Sequence, residues 1–103
     1  MNYTRVDLKN KTILRVQGEL DCVSAPDLRA ELERLVADGR QEIMVDLSDL
    51  ELIDSSGIGA LVGLYKRVRA GGGDVHFVGV REQPLVIFKL LRLDQVFGLE
   101  TAQ

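Results

Sequence analysis

A chain of 103 residues has room for one domain with one hydrophobic core. Its apolar fraction of 46 % and charged fraction of 28 % are ordinary for a soluble domain, and no segment has the roughly 18 consecutive apolar residues that a membrane span needs. The net charge of −3 argues against nucleic acid binding, and the lone Cys22 excludes an internal disulfide, so we expect a cytoplasmic protein.

The first 20 residues predict two antiparallel strands joined by a hairpin. Apolar and polar side chains alternate over residues 4–8 and again over residues 14–20. Residues 9–11 lie between these segments and contain Asn10, which tolerates positive φ. We therefore place the hairpin turn there.

The next segment predicts a helix that begins after Ser24 and ends at residues 38–40. Ser24 is expected to be the N-cap, with Asp27 three residues later in a variant of the capping box, and Pro26 fits the first turn. One stripe of apolar side chains is expected to face the core: Ala25, Leu28, Leu32, Leu35 and Val36.

Strands and helices alternate in the rest of the chain. Strands are predicted at residues 42–47, 74–80 and, as a short final strand, 96–100, and helices at about 56–70 and 84–92. Such alternation favours parallel pairing through right-handed crossovers. We therefore predict an α/β fold over residues 1–103: a single domain with a mixed sheet of four to five strands, in which an antiparallel first hairpin is followed by parallel βα units, packed against three or more helices.

The junction between the third strand and the second helix carries the polar residues of interest. The sequence Asp54-Ser55-Ser56-Gly57 opens the helix, which places two hydroxyls and a carboxylate beside the unpaired N–H groups of a helix N-terminus. Capping alone explains aspartate and serine at such a position, and it is the more frequent explanation. Local chemistry therefore leaves both capping and a functional site open.

The second helix also contains three glycines, each of which costs about 1 kcal/mol relative to alanine inside a helix. These glycines are Gly57, Gly59 and Gly63. Together with Ala60 and Leu64, they lie mostly outside the stripe of side chains that is predicted to face inward, which is Ile58, Leu61, Val62, Tyr65 and Val68. A face without large side chains is typical of a docking surface or of close packing against the same chain. The helix pattern does not decide between the two.

Several motifs together resemble the STAS domains of bacterial anti-sigma factor antagonists. The central one is residues 54–59 (DSSGIG), preceded by residues 45–48 (VDLS). Residues 18–21 (GELD) and 93–97 (LDQVF) are similar to two further landmarks of that family, in the same order. The resemblance covers nearly the whole chain.

This resemblance implies Ser55 as the acceptor of a phosphate group. The donor would be a partner that is both an anti-sigma factor and an ATP-dependent serine kinase, and a PP2C-type phosphatase would remove the phosphate. The unphosphorylated form would bind the kinase and thereby release the sigma factor. With the glycine face, the predicted partner-binding residues are Asp21, Asp54, Ser56, Gly57, Gly59, Ala60, Gly63 and Leu64.

Neither catalysis nor a cofactor or metal site is predicted. The sole histidine, His76, lies in a strand pattern far along the chain from the serines. No cluster of cysteine and histidine has metal-ligand spacing, and no glycine run is followed by the Lys-Ser or Lys-Thr of a phosphate-binding loop.

Three alternatives stay open. The first alternative is a homodimer, and two observations favour it. The third helix is apolar almost all round, since Leu85, Val86 and Leu90 lie off the stripe of Pro84, Ile87, Phe88 and Leu91. The C-terminal helix of the family also looks missing or vestigial, so an apolar patch would stay uncovered. STAS domains also serve as accessory subunits of transport or stress-sensing complexes without a phosphorylation switch. Nucleotide binding at the helix N-terminus is the third and weakest alternative.

Overall fold

A computed structural model describes residues 1–99. The elements along the chain are β1 (Asn2–Asp7), β2 (Thr12–Leu20), α1 (Ala25–Ala37), β3 (Glu42–Asp46), β4 (Leu50–Ile53), α2 (Ser55–Ala70), β5 (Asp74–Val78), α3 (Glu82–Leu90) and α4 (Leu93–Val96). Within these residues no helix is long and apolar enough to cross a membrane.

The strands form one mixed sheet of five strands. The order is β1-β2-β3-β5, and β4 pairs with the second half of β2. The pair β1–β2 is antiparallel, and the other pairs are parallel. The predicted fold class is therefore confirmed. Because the parallel strands run in one direction, the ends of β2 and β4 lie together, and the loops that follow them meet at one edge of the sheet.

The opening hairpin lies where the pattern placed it, although its turn is made differently. The Leu8 N–H donates to the Lys11 carbonyl at 2.7 Å and closes the turn. Among the described non-glycine residues only Glu82 and Arg92 have positive φ. The prediction from the tolerance of Asn10 for positive φ gave the right position for the wrong reason.

The core lies between one face of the sheet and helices α1 and α2. The buried side chains of the sheet alternate along the strands, as expected for strands with one covered face. They include Leu14, Val16, Ile43, Val45, Val75 and Phe77, and they pack with Leu28, Leu32 and Leu35 of α1 and with Ile58, Leu61 and Val68 of α2.

Strand β4 lies between the predicted third strand and second helix, in a segment whose sequence pattern predicts no strand. Its burial is not alternating: Leu50 and Ile53 are buried, whereas Glu51 and Leu52 between them are exposed. A period of two is therefore absent from its sequence. The strand exists because it pairs with β2 beyond a register shift at Gly18 and Glu19, which only the tertiary structure provides.

The predicted final strand at residues 96–100 is wrong over its described part. Val96 is the last residue of α4, and residues 97–98 form a turn; Glu100 lies outside the described residues. Phe97 is buried, with its ring centroid 4.3 Å from that of Phe77 and 4.9 Å from that of Tyr65. Aromatic packing onto the core thus explains the apolar residue that the pattern assigned to a strand.

The third helix begins and ends about two residues earlier than predicted. Phe88 and Pro84 are buried as expected, but Leu91 is 54 % exposed because it follows the last helical residue. Val86 and Leu90 are exposed as well. The homodimer through this apolar surface stays a prediction.

An ion-pair cluster joins the edge strand β1 to α1. Glu31, which is only 8 % exposed, accepts hydrogen bonds from Arg5 and from Arg34, each at 2.9 Å. Arg5 also contacts Asp7 and Asp38. Burial by itself would raise the pKa of the Glu31 carboxyl, but the bonds from Arg5 and Arg34 together outweigh it and lower that pKa.

Glu31→Gln is expected to lower the free energy of unfolding by about 2 kcal/mol near neutral pH. A lowered carboxyl pKa stabilises the fold fully above the ordinary value of 4.5, and this stabilisation is lost as pH falls through the folded value. The variant should therefore lose less stability in acid than the parent. Urea unfolding at about pH 7 and about pH 3 measures both effects. The exposed Glu33→Gln is the control, and an equally steep acid dependence in Glu31→Gln and the parent would refute the prediction.

Candidate functional site

The junction between β4 and α2 is held by backbone hydrogen bonds on both sides of Asp54. Strand β4 ends at Ile53, and Asp54 keeps an extended backbone with φ −115° and ψ −173°. The Asp54 N–H donates to the Leu20 carbonyl of β2 at 3.1 Å, and the Asp54 carbonyl accepts from the Ile58 N–H at 2.9 Å. The chain therefore passes from the sheet into α2 within one residue.

The carboxylate of Asp54 is the N-cap of α2 and also contacts a second loop. Its Oδ1 accepts from the N–H groups of Ser56 at 2.9 Å and Gly57 at 3.1 Å. Its Oδ2 accepts from the Cys22 N–H at 3.1 Å. The capping explanation is thus correct for Asp54, which in addition links α2 to the loop between β2 and α1.

Ser55 is the first residue of α2 and is exposed. Within residues 1–99 its hydroxyl makes no hydrogen bond to another residue. The helix starts one residue earlier than predicted, because Asp54 rather than Ser55 is the N-cap. The side chain of Ser55 is therefore exposed at the helix terminus, whereas Asp54 and the N–H groups of Ser56 and Gly57 hold that terminus together.

Ser56 lies half-buried beside Ser55 and faces α1. Its carbonyl accepts a long hydrogen bond of 3.4 Å from Nη2 of Arg29, which lies on α1. The same Nη2 is 3.2 Å from the place where a Cβ at Gly59 would lie. The guanidinium of Arg29 thus lies against α2 at Ser56 and Gly59.

The loop that joins β2 to α1 is built around Asp21. Its Oδ1 accepts from the N–H groups of Val23 at 3.0 Å and Ser24 at 3.1 Å, and these bonds, with that of the Ser24 hydroxyl, lower the pKa of the Asp21 carboxyl. Ser24 is the N-cap residue of α1, but its side chain makes no capping bond to the helix. The predicted capping box with Asp27 is therefore wrong, because the Ser24 hydroxyl is engaged with Asp21 and with the Glu19 carbonyl.

The glycine face of α2 is only partly exposed. Gly59 is exposed and Gly63 half-buried, and a Cβ at Gly63 would meet nothing within 4 Å. Gly57 is buried, as are Ala60 at 5 % and Leu64 at 2 % exposure. Gly57, Ala60 and Leu64 were expected outside the core, and this prediction is wrong. The side of α2 on which they lie is covered by α1 and by the end of β2. Close packing within the chain thus explains Gly57, whereas a docking role for Gly59 and Gly63 stays a prediction.

A shallow groove of about 110 Å³ separates α1 from α2 beside the exposed glycines. Its lining mixes apolar and charged side chains: Arg29, Leu32, Glu33, Val36, Gly59, Ala60, Gly63, Leu64 and Arg67. On α2 the lining runs from Gly59 to Arg67, so the groove begins about one helical turn beyond Ser55.

Three residues near the junction were not singled out from the sequence as neighbours of Ser55. They are Cys22, Arg29 and Gln83. Cys22 has an exposed thiol, and its backbone N–H donates to Asp54. Arg29 donates to the Ser56 carbonyl, and the side chain of Gln83 bonds to the backbone of Ile53. Cys22 follows the landmark at residues 18–21, which gave a signal. Arg29 and Gln83 lie on other helices, and no local pattern marks them.

His76 and metal-type clusters do not contribute to this site. The Nε2 atom of His76 lies 3.6 Å from Asp74 and 3.9 Å from Glu42, at the starts of β5 and β3, whereas Ser55 follows the end of β4. Among the described residues no group of three His, Cys, Asp or Glu side chains is arranged to hold a metal ion.

Asp54→Ala is expected to lower the free energy of unfolding by about 2 kcal/mol, because the N–H groups of Ser56 and Gly57 lose their acceptor. Asp54→Asn keeps one acceptor oxygen and should lose less than half as much. Urea unfolding measures both changes, and amide exchange at Ser56 and Gly57 should accelerate in Asp54→Ala. Equal stability of Asp54→Ala and the parent would show that the cap contributes nothing.

The chain is similar to regulators of bacterial sigma factors. The family model of the STAS domain matches residues 3–102. The anti-sigma-B factor antagonist of Bacillus subtilis is 31 % identical over 97 residues, which are 91 % of this chain and 88 % of that protein. The one from Staphylococcus aureus is 30 % identical over 87 residues, or 84 % and 75 % of the two chains. The crystal structure of an anti-sigma factor antagonist from Mycobacterium paratuberculosis has a TM-score of 0.88 at 26 % identity and covers 98 % of this chain and 86 % of that chain.

Proposed function

Because the chain belongs to the STAS domain family, we propose that it is an anti-sigma factor antagonist that phosphorylation of Ser55 switches off. In its unphosphorylated form it binds an anti-sigma factor that is also an ATP-dependent serine kinase, in the cytoplasm, and so releases the sigma factor. A PP2C-type phosphatase restores this form. The protein acts by binding and not by catalysis. The observation that carries the proposal is the exposed hydroxyl of Ser55 at the first position of α2, which makes no hydrogen bond to another residue within residues 1–99.

The phosphate changes docking and not the fold. A phosphoserine adds about −1.5 to −2 charges, which the positive end of a helix dipole tolerates. The N–H groups of Ser56 and Gly57 are already bonded to Asp54, so these two donors are not free to hold the phosphate. Because residue 55 is exposed, we expect the dianion to lie at the surface beside the carboxylate of Asp54. A partner would have to desolvate it, and burial of an unpaired charge is expensive.

The docking surface surrounds Ser55 on two elements. From the loop after β2 comes Asp21, and from the α2 junction come Asp54, Ser56, Gly59 and Gly63. Gly57 lets α2 lie close to the end of β2, and the buried Ala60 and Leu64 support this surface from below. A kinase active site needs an accessible acceptor hydroxyl with little bulk around it, and the small residues of α2 leave that space.

Phosphate mapping tests the proposal. The purified protein is incubated with an extract of its source cells and ATP, and the modified residue is identified by mass spectrometry. We expect phosphate on Ser55, its loss in Ser55→Ala and its retention on Ser55 in the control Ser48→Ala, at a serine outside the docking surface. An extract with active kinase that modifies neither Ser55 nor Ser56 would overturn the proposal and favour an accessory subunit of a transport or stress-sensing complex.

A further inference from the structure

Gln83, near the start of α3, bonds through its side-chain amide to the last residue of β4. Its Oε1 accepts from the Ile53 N–H at 2.9 Å, and its Nε2 donates to the Ile53 carbonyl at 3.0 Å. Both polar groups of one backbone residue are thus satisfied by one side chain. Gln83 takes the place that a neighbouring strand would otherwise occupy at the free edge of β4.

These bonds complete the support of the strand end on which Ser55 depends. Successive residues of a strand direct their N–H groups to opposite sides. On one side the Asp54 N–H donates to the Leu20 carbonyl of β2, and on the other the Ile53 N–H is held by Gln83. The two residues before Ser55 are therefore fixed from both sides of β4.

The chain around Gln83 adopts an unfavourable conformation that brings it to β4. Glu82 has φ +57°, in the left-handed region that costs a non-glycine residue on the order of 1 kcal/mol or more. On the other side of Glu82, the Arg81 Nε donates to the Ser48 carbonyl at 2.8 Å. Arg81 and Gln83 thus bind the β4 segment just before its start and at its end. These contacts compensate for the strain. Burial of the Glu82 side chain does not contribute, because that side chain is exposed.

We infer that Gln83 is a positioning residue for phosphoryl transfer to Ser55. This inference rests on the proposed function. Gln83 fixes Ile53, Ile53 leads directly into the cap Asp54, and Asp54 sets the first turn of α2 in which Ser55 lies. A displacement of about 1 Å at an acceptor is enough to reduce a transfer rate by up to about a hundredfold.

The test removes both hydrogen bonds while keeping the size of the side chain. Gln83→Met is similar in length and unbranched, and Gln95→Met, at an exposed glutamine of α4, is the matched control. Amide exchange of Ile53 should accelerate at least about tenfold in Gln83→Met, since its N–H loses its acceptor. With extract kinase and ATP, the apparent kcat for Ser55 phosphorylation should fall at least about tenfold with a much smaller change in KM, because Asp21, Gly59 and Gly63 of the docking surface lie outside the segment that Gln83 fixes.

The outcomes separate this inference from the proposed function. Phosphorylation of the parent on Ser55, with an equal apparent kcat in a folded Gln83→Met, would overturn the role of Gln83 alone. No phosphate on Ser55 of the parent would overturn the proposed function and this inference with it. Gln83→Glu keeps an acceptor for the Ile53 N–H but, when ionised, has no donor for the Ile53 carbonyl. It should give an intermediate kcat and serves as the test if Gln83→Met does not fold, in which case an unchanged kcat overturns the inference.

Discussion

Ser55→Asp is expected to weaken binding to the anti-sigma kinase by at least about a hundredfold, or about 2.7 kcal/mol, and to leave the fold intact. The side chain of residue 55 is exposed, so a carboxylate there costs the free protein little. It also lies at the N-terminus of α2, where negative charge is favourable. On docking, however, this charge would be desolvated beside Asp54.

The charge is separated from the shape by Ser55→Asn, which has nearly the same size as aspartate and no charge. We expect Ser55→Asn to bind at least tenfold more tightly than Ser55→Asp. Affinity is measured by biolayer interferometry with the kinase that the extract experiment identifies, and circular dichroism checks the fold. Tight binding by Ser55→Asp, equal to that of Ser55→Asn, would contradict an electrostatic switch.

Gly57→Ala is expected to destabilise the protein by about 3 kcal/mol. An added Cβ would lie 2.7 Å from Leu20 Cγ, 2.8 Å from Ile53 Cγ1 and 2.9 Å from the Leu20 carbonyl oxygen. Two of these atoms belong to well-packed side chains and the third to the backbone of β2, so relief requires a shift of α2 against the sheet. Such a shift would also move Ser55.

Gly63→Ala, on the same helix, is the matched control with the opposite expected sign. A Cβ at this position has nothing within 4 Å, and alanine is the better helix former by about 1 kcal/mol. We therefore expect a stabilisation of about 0.5 to 1 kcal/mol. Urea unfolding of the two variants measures the difference, and a Gly57→Ala as stable as Gly63→Ala would show that the close approach at Gly57 does not matter.

Elements with a regular burial pattern were predictable from the sequence. Strand β2 and helix α1 each face the core on one side, so alternation and the apolar stripe report their burial directly. Strand β4 has no such pattern, because its two exposed residues lie next to each other. The apolar Phe97 fits the pattern of a strand, although it lies outside any strand and is buried by packing against Phe77.

The site was predictable where it is local in sequence and not where it depends on other elements. Asp54, Ser55 and Ser56 are adjacent, and the composition of a helix N-terminus marks them. The burial of Ala60 and Leu64 could not be predicted, because α2 contacts both the sheet and α1 and a single stripe describes only one contact. The hydrogen bonds between Gln83 and Ile53 depend on where α3 packs against β4, and the sequence pattern of residues 48–57 does not predict that packing.

The most direct test of the phosphorylation switch is a calorimetric titration of the kinase with the protein in two forms, unmodified and stoichiometrically phosphorylated on Ser55. The predicted result is saturable binding of the unmodified form and an affinity at least about a hundredfold lower for the phosphorylated form, with the same melting temperature for both. Equal affinities of the two forms would contradict the switch, whatever the fold or the family of the chain.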